Sequence, residues 1–320
     1  MPFRRLGRSG LQLSVLSFGS WVTFDNQLKD DTALECMQAA HDAGCNFYDN
    51  AEAYAGGESE AIMGRVIEEL GWKRQSYVLS TKVFWGIDGN MPNMANTLNR
   101  KYLHHSIEGC LDRLRVDFID LLFCHRADPN TPIEETLRAL DDLIRQGKVR
   151  YIGCSNLPAW QVVEAQWTSK EAGLHRFVSS QDEYSLLVRK PDQELIPALR
   201  NYSMGLLPYY PLAGGFLTGK YQRNAQLPAG ARLTNAQRLA DRFLTEANWQ
   251  VVERLGDFAA TRGHGLLELA FSWLLARPTV ASVIAGATKP EQLEANAKAA
   301  GWALTDEDMA EIDQITQEPG

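Results

Sequence analysis

The chain has 320 residues, 45% of them hydrophobic, so it can bury a large core and does not have the composition of a disordered protein. Its formal net charge of −8 argues against a nucleic-acid-binding surface, and an anionic ligand would need a local cluster of Lys and Arg. No apolar run approaches the roughly 18 residues that span a bilayer, and the opening stretch MPFRRLGRSG contains no signal-peptide core. We therefore expect a cytoplasmic protein, with one domain over residues 1–320 and no membrane partner.

The cysteines form no recognisable pattern. Their number is odd, and their spacing matches no CxxC motif. We expect scattered reduced thiols and no metal site. The five are Cys36, Cys45, Cys110, Cys124 and Cys154.

Short apolar segments alternate with amphipathic ones along most of the chain. After a hairpin predicted within residues 1–14, this alternation indicates βα units and a parallel sheet. Eight segments favour a (β/α)8 TIM barrel over an open sheet, although the pattern alone does not distinguish the two. The predicted strands are Val15–Phe18, Asn46–Asp49, Val78–Val83, Ile119–Phe123, Val149–Cys154, Phe177–Ser180, Gly205–Tyr209 and Val280–Ile284.

Helices are predicted between the strands. Thr32–Ala43 places Leu34, Met37 and His41 on one face. Ile133–Gln146 has the same kind of apolar face. After the seventh strand comes a long loop, residues 212–247, and a loop of that length in a compact domain is usually functional.

Two helices begin with capping signals. Thr131 is a candidate N-cap for the helix that starts at Ile133, and Glu134 completes a capping box. Thr305 and Asp308 form a second capping box for a last helix that runs to about residue 315.

Four ionisable side chains follow from the barrel prediction. Active sites of such barrels lie at the carboxyl ends of the strands. Asp49 ends the second predicted strand, Lys82 lies near the end of the third, His125 follows the fourth, and Tyr54 stands five residues after Asp49. Taken singly, each except Lys82 has an ordinary structural explanation. Together they predict a catalytic group.

The chemistry of this group centres on the tyrosine. Its ordinary pKa near 10 is high for acid catalysis, and a nearby Lys82 cation would lower it. Asp49 would keep Lys82 charged and oriented. Tyr54 could then protonate a carbonyl oxygen while a cofactor hydride attacks the carbon, with His125 donating a hydrogen bond to the same oxygen.

Lys82 also allows a different reaction, because lysines inside α/β barrels can form Schiff bases with carbonyl substrates. Such an aldolase needs no nucleotide, so a nucleotide site decides between the two. The chain has neither G-x-G-x-x-G after a strand nor a P-loop motif.

Other segments suit a dinucleotide. Short polar residues at strand ends, Ser155, Asn156 and Gln181, could hold a carboxamide. An aromatic residue in the stretch 208–215 could stack on a nicotinamide ring, and the glycines there allow close backbone approach to phosphates.

The basic residues that an anionic cofactor requires lie in two places. Thr288 and Lys289 stand at a predicted helix N-terminus, which is a ready anion site. Lys220 and Arg232, in the long loop, could fold over a pyrophosphate or a 2′-phosphate.

With these motifs in hand, the chain resembles the aldo-keto reductase superfamily, and within it the branch of the voltage-gated potassium channel β-subunits and their bacterial relatives. The resemblance runs in order through the whole chain. It is carried by Phe18–Trp21, Tyr48–Tyr54, Ser80–Lys82, Cys124–Arg126, Gly153–Asn156, Tyr210–Ala213 and Gly286–Asn296, and for the branch by Gly71–Arg74, Thr81–Gly86, Asp128–Pro132 and Gly219–Tyr221.

The resemblance implies reduction of a small-molecule carbonyl by the pro-R hydride of NADPH, with Asp49, Tyr54, Lys82 and His125 as the catalytic tetrad. Separately, the aromatic residues near the strand ends suggest a substrate pocket of Trp21, Phe24, Tyr54, Trp85 and His125, although aromatics at strand ends are equally consistent with core packing. The implied cofactor residues are Ser20, Trp21, Gln27, Asp49, Ser155, Asn156, Gln181, Tyr209, Tyr210, Pro211, Leu212, Ala213, Gly214, Gly215, Lys220, Arg232, Gly286, Thr288, Lys289, Gln292 and Asn296.

Three departures from the channel subunits matter. Those proteins have tryptophan at Tyr209, asparagine at His125 and glutamate at Ala295. The histidine favours catalysis, whereas the alanine leaves the NADPH preference to Lys289 and Arg232. The branch also implies a homo-oligomer, a tetramer, and an alternative function as an NADPH-binding regulatory protein with little turnover.

Overall fold

The computed structural model describes residues 1–21, 30–87, 89 and 91–317. Its main feature is an eight-stranded parallel sheet in which each strand neighbours the next along the chain. The strands are β3 Leu16–Gly19, β4 Phe47–Asp49, β5 Val78–Val83, β6 Ile119–Cys124, β7 Val149–Ser155, β8 Ser179–Glu183, β9 Gly205–Tyr209 and β10 Val283–Ala285.

The sheet curls until its two edges meet. β10 pairs with β3, and the opposite seam is joined by a parallel bridge between Leu206 and Val280. At that bridge the Leu206 N–H donates to the Thr279 carbonyl at 2.7 Å, and the Ala281 N–H donates to the Leu206 carbonyl at 3.0 Å. The result is a nearly closed (β/α)8 barrel, as predicted.

Helices connect the strands and cover the barrel. They are α1 Asp30–Asp42, α2 Glu58–Leu70, α3 Arg100–Leu114, α4 Ile133–Arg145, α5 Ala159–Glu171, α6 Leu195–Asn201, α7 Arg232–Asn235, α8 Gln237–Phe243, α9 Glu246–Thr261, α10 Leu266–Ala276, α11 Pro290–Ala299 and α12 Asp306–Gln317. Within the described ranges, no helix has the length and apolarity needed to cross a membrane. All five cysteines are buried and unbridged, as expected.

The predicted N-terminal hairpin is confirmed. β1 Phe3–Arg5 pairs antiparallel with β2 Gln12–Ser14. Leu6 and Leu13 from this hairpin are fully buried in a second core cluster, together with inward side chains of the barrel strands such as Phe47 and Leu121. The hairpin therefore closes the end of the barrel opposite the carboxyl ends of the strands.

Two predicted strands shift by more than one residue at one end or both, and the others match within one residue. The sixth strand was expected at Phe177–Ser180, but the ladder runs over Ser179–Glu183 because the backbone stays paired with β7 and β9. The apolar residues of this segment end before the strand does, because the later residues of the strand carry polar side chains that face the site. The eighth strand begins at Val283, and Val280 serves as the closing bridge.

The predicted cap at Thr131 is wrong. Pro132 occupies the N-cap position of α4, and the Thr131 hydroxyl instead donates to Asp128 Oδ2 at 2.6 Å. Glu134 pairs with Arg138 one turn later. The Thr305 and Asp308 capping box is confirmed.

The long loop predicted over residues 212–247 contains structure of its own. A 3₁₀ segment at Ala213–Thr218 is followed by α7, α8 and the start of α9. These short helices fold back onto the barrel through Leu233 and Phe243, which are buried in the main core.

Candidate active site

The four predicted catalytic residues meet at the carboxyl ends of neighbouring strands. Asp49 is the last residue of β4, Lys82 lies in β5, and His125 follows β6 directly. Tyr54 begins a 3₁₀ turn, Tyr54–Gly57, rather than the expected loop.

Lys82 is the centre of this group. Its side chain is only 1% exposed, and its ammonium donates to Asp49 Oδ2 at 2.7 Å, to the Asn50 carbonyl at 2.7 Å and to the Tyr54 hydroxyl at 3.1 Å. Burial alone would lower the pKa of Lys82, but the charges of Asp49 and Tyr54 outweigh burial and raise it. Lys82 therefore stays a cation.

Asp49 is held from two sides. Its Oδ2 accepts from Lys82, while its Oδ1 accepts from the Ser80 hydroxyl at 2.6 Å and from Gln181 Nε2 at 2.9 Å. Gln181, which is predicted to hold the nicotinamide carboxamide, also donates from its amide nitrogen to this carboxylate. Ser80 was missed, although it stands two residues before Lys82 in the same strand. The carboxylate orients the lysine rigidly.

The expected effect of Lys82 on the pKa of Tyr54 is confirmed, but burial has the larger effect. Burial raises the pKa of the Tyr54 hydroxyl above its ordinary value, and the nearby Lys82 cation offsets only part of that rise. Tyr54 is consequently a protonated hydroxyl at neutral pH. Such a group is ready to give a proton, and the cation is placed to stabilise the phenolate that remains.

His125 lies beside Tyr54 as an uncharged ring. The two ring centroids are 5.9 Å apart, and the backbone N–H of His125 donates to the Val83 carbonyl at 3.0 Å. Burial, then the charges of Lys82 and Arg126, lower the pKa of His125 to about 3. A neutral imidazole can donate one hydrogen bond and accept another.

Two tryptophans stand at the mouth of the site. Trp21 is 40% exposed and Trp85 is 38% exposed. The Trp21 ring lies 6.1 Å from the Tyr54 ring, and the Trp85 ring lies 6.3 Å from the His125 ring. The remaining predicted pocket residue, Phe24, and the predicted cofactor residue Gln27 lie outside the described residues.

The loop that carries Trp85 is fixed by a buried carboxylate that sequence reasoning missed. Glu52 Oε1 accepts the backbone N–H of Phe84 at 2.9 Å and of Gly86 at 3.1 Å. Glu52 also accepts from the hydroxyl of Tyr102. Its position between Asp49 and Tyr54 in one short segment is the signal that could have identified it.

A hydrogen-bonded group of Tyr209, Asn156 and Ser155 contacts the backbone of His125. The Tyr209 hydroxyl donates to Asn156 Oδ1 at 2.6 Å. Asn156 Nδ2 donates to the Ser155 hydroxyl at 2.9 Å and to the His125 carbonyl at 3.3 Å. The structure thus brings the predicted carboxamide holders and the predicted stacking tyrosine together at the tetrad.

The two predicted basic residues of the long segment both lie against the turn at Tyr210–Gly215. Arg232 lies over the Trp21 ring at 5.1 Å and over the Tyr210 ring at 4.7 Å, and it donates to the Tyr210 hydroxyl at 2.8 Å. Lys220 lies against Gly215, where an added Cβ would come within 3.1 Å of its ammonium. Burial lowers the pKa of both cations. Neither pairs with a carboxylate of the described residues.

The backbone beneath these cations is left-handed. Tyr210 and Ala213 have φ of 54° and 48°, and Gly214 and Gly215 have φ of 70° and 94°. Positive φ in non-glycine residues is costly and concentrates at functional sites. Pro211 and Leu212 lie in the same turn.

The last predicted cofactor segment forms a separate group at the start of α11, beyond Gly286. Gln292 Oε1 accepts from the Thr288 backbone N–H at 2.9 Å. Lys289 is the exposed N-cap residue of α11, and Asn296 is buried about two turns further on. Ser20, the remaining predicted contact, is buried and accepts from the Ser59 hydroxyl at 3.1 Å.

Comparisons with known proteins agree with this geometry. The model of the aldo/keto reductase family matches residues 15–317. The chain is 42% identical to a probable voltage-gated potassium channel subunit beta of Oryza sativa subsp. japonica, covering 99% of this chain and 97% of that protein. The corresponding Arabidopsis thaliana protein is also 42% identical, with the same coverage. A putative subunit of the same kind from Schizosaccharomyces pombe is 38% identical over 98% of this chain and 93% of its own length.

The match spans the barrel strands that carry Asp49, Lys82 and His125, as well as the segments with Arg232 and Thr288. This protein is therefore a member of the aldo/keto reductase family.

Proposed function

We propose that this protein is an NADPH-dependent oxidoreductase that reduces aldehydes or ketones to alcohols. The observation that carries the proposal is the hydrogen-bonded series Asp49–Lys82–Tyr54, with the Tyr54 hydroxyl at 3.1 Å from the lysine ammonium. Membership of the aldo/keto reductase family supports oxidoreductase chemistry, and the family generally uses NAD(P)H.

In this proposal Tyr54 is the general acid. It donates its proton to the carbonyl oxygen and becomes a phenolate, which Lys82 stabilises until water returns a proton. His125, uncharged, donates a hydrogen bond to the same oxygen and orients it. Bound NADPH would supply the hydride that the carbonyl carbon accepts. The carbonyl thus gains one hydride and one proton and leaves as an alcohol.

The residues present fit an anionic dinucleotide. Half-buried Arg232 and exposed Lys220 have no carboxylate partner among the described residues, so their positive charges are available to a ligand anion. Both cations lie against the left-handed turn at Tyr210–Gly215, and they would face a pyrophosphate bound there. Asn156 and Tyr209 would hold the nicotinamide end, and Lys289 with Arg232 would favour a 2′-phosphate.

The Schiff-base reaction finds less support in the same atoms. A lysine nucleophile must lose its proton, so its site should lower its pKa. The pKa of Lys82 is raised, and all three ammonium hydrogens have acceptors within 3.1 Å. Trapping with borohydride and a carbonyl compound should therefore label no Lys82.

A second candidate function is an NADPH-binding regulatory protein with little turnover. Its motivation is the similarity to proteins named as voltage-gated potassium channel β-subunits. A complete tetrad with His125 beside Tyr54 favours the enzyme.

The two functions separate in one experiment. NADPH binding is followed by the change in its fluorescence, and its oxidation at 340 nm is then recorded with a panel of small aldehydes and ketones, with NADH as the comparison. Binding with turnover supports the reductase. Tight binding with no turnover on any carbonyl supports the regulatory function, and absence of binding contradicts both.

A further inference from the structure

Asp182 is a buried carboxyl group that the proposed reaction does not use. It lies in β8, next to Gln181, and is 6% exposed. No cation of the described residues pairs with it. Its hydrogen bonds come from two neutral donors, the Ser180 hydroxyl and the backbone N–H of Asn156 at 3.1 Å. Burying a carboxylate in this way is costly, so its place needs an explanation.

The explanation lies in the hydrogen bond that Asp182 accepts from the backbone N–H of Asn156. Asn156 has φ of 58°, a left-handed conformation that asparagine tolerates better than most residues. The bond from its N–H to Asp182 Oδ1 fixes the backbone in this conformation.

Asn156 in turn connects two parts of the site. Its side chain accepts from the Tyr209 hydroxyl at 2.6 Å and donates to the His125 carbonyl at 3.3 Å. A shift of the Asn156 backbone would therefore move the amide, the Tyr209 ring and the His125 segment together.

We propose that Asp182 is a positioning residue for the cofactor: its carboxylate fixes Asn156, and through it Tyr209, so that affinity for the nicotinamide end depends on the charge of Asp182. The inference rests on the NADPH binding of the proposed function. A charge-assisted hydrogen bond is roughly twice as strong as a neutral one, so the neutral acid holds Asn156 less firmly.

The charge of Asp182 can change under mild conditions. Burial raises its pKa to about 6, against the opposing effect of the bonds from Ser180 and Asn156. As pH falls through 6, Asp182 takes up a proton and the support weakens. Affinity should therefore be highest above pH 7 and fall below pH 6.

Other titratable groups around Asp182 behave differently. Burial raises the pKa of the Cys154 thiol and of the Tyr209 hydroxyl, so both stay protonated at neutral pH and below. The pKa of His125 is about 3. The remaining charged groups nearby are Glu183, which is bonded to Arg242, and Arg126.

The test is Asp182→Asn, which keeps the shape and an acceptor for Asn156 but removes the charge. NADPH dissociation constants are measured by fluorescence from pH 5 to 8 for wild type and variant. The 2′-phosphate of the cofactor itself titrates near pH 6, so the ratio of the two constants is compared at each pH. We expect the variant to bind about fivefold more weakly at pH 8 and equally at pH 5.

Two further variants keep the test decisive. Glu183→Gln removes the neighbouring carboxylate and should leave the wild-type pH dependence unchanged. Ser180→Ala removes the other donor to Asp182 and should move the loss of affinity to higher pH. This second variant tests the inference even if Asp182→Asn does not fold.

The outcomes are distinct. A ratio that stays at one across the pH range, or a pH dependence that disappears in Glu183→Gln, overturns the role of Asp182 and leaves NADPH binding intact. Wild-type protein that binds no NADPH at pH 8 overturns the proposed function as well. A purely structural role would lower the thermal midpoint of Asp182→Asn at pH 8, whereas removing a costly buried charge should raise it.

Discussion

At the scale of single residues, the two basic side chains of the site differ in charge: Lys82 is a cation and His125 is neutral. Lys82 is kept charged because the Asp49 carboxylate lies at 2.7 Å, and this attraction exceeds the cost of burial. His125 has no such partner, and the positive charges of Lys82 and Arg126 act on it, so it stays neutral. A permanent cation and a neutral donor are the two groups that stabilise a developing alkoxide and phenolate.

The low pKa of His125 should make the unfolding free energy of the protein depend on pH. Its pKa is about 3 in the folded protein and ordinary, near 6.5, in the unfolded chain. The unfolded chain therefore takes up a proton that the folded site refuses, and stability is lost as pH falls below 6.5. Between pH 7 and pH 5 wild type should lose about 2 kcal/mol more than His125→Asn. Urea unfolding at both pH values measures this, and an equal loss in the two proteins would contradict it.

The Lys82–Asp49 pair predicts strong coupling. Lys82→Met leaves an unpaired carboxylate at a buried position, and we expect a loss of about 3–5 kcal/mol in unfolding free energy. The double variant Lys82→Met with Asp49→Asn removes the charge that was left and should recover most of that loss. Denaturant unfolding of both variants is the measurement. Additive effects of the two substitutions would show that the pair is not coupled.

Residue types and spacing were enough to predict that the four side chains of the proposed tetrad lie together, because consecutive strand ends meet at one rim. The pKa of Tyr54 could not be predicted in this way, since it depends on how deeply the hydroxyl is buried relative to Lys82. The contact of Gln181 with Asp49 could not be predicted from the sequence either. Their positions are 132 residues apart in sequence, and only the closed barrel brings them together.

At the scale of elements, helices α2 and α3 approach each other unusually closely. Gly64 in α2 faces the end of α3, where an added Cβ would lie 2.4 Å from the Arg113 carbonyl oxygen. The same contact region holds the buried ion pair of Glu60 with Arg113 at 2.8 Å. Because Glu60 also accepts from Thr81 in β5, this close packing supports the strand that carries Lys82.

Replacing Gly64 with alanine should therefore destabilise the protein. Alanine is the better helix former by about 1 kcal/mol, but the clash with backbone requires the helices to separate, at a cost of about 1–3 kcal/mol more. Gly256→Ala in α9 is the matched control, since no atom lies within 4 Å of its added Cβ. We expect a lower thermal midpoint for the first variant and an equal or higher one for the second. The reverse order would refute the packing argument.

Element boundaries were predictable where one local signal dominates. The capping box of α12 is such a case, because Thr305 and Asp308 satisfy each other's backbone donors. α4 is the opposite case, because the Thr131 hydroxyl donates to Asp128 and therefore does not cap the helix. β8 ends in Gln181–Glu183, whose polar side chains do not indicate a buried strand in the sequence. Only the pairing with β7 and β9 identifies it as one.

At the scale of the whole molecule, the barrel has two ends with different tasks. The carboxyl ends of the strands carry the polar site, while the N-terminal hairpin seals the other end with Leu6 and Leu13. The alternation of apolar and amphipathic segments predicted the barrel. Its closure depends on the pairing of β10 with β3 and on the bridge between Leu206 and Val280, contacts between distant parts of the chain that no local pattern encodes.

The hairpin should contribute stability without entering the chemistry. Leu13→Ala leaves a cavity at the sealed end and should cost about 2–5 kcal/mol in unfolding free energy. Phe3, in the paired strand and 50% exposed, gives the control, because Phe3→Ala should cost far less. Both variants should keep the NADPH affinity of wild type when folded. A large loss of affinity in Leu13→Ala would mean that the two ends are coupled.

The central claim is that Tyr54 is the acid that protonates the carbonyl oxygen. The most direct test is the rate of hydride transfer in a single turnover, measured with preformed NADPH complexes of wild type and Tyr54→Phe and one reactive aldehyde. We predict a fall of at least about 10²-fold in that rate, with the dissociation constant for NADPH nearly unchanged. A phenylalanine variant that transfers hydride at the wild-type rate would contradict the account.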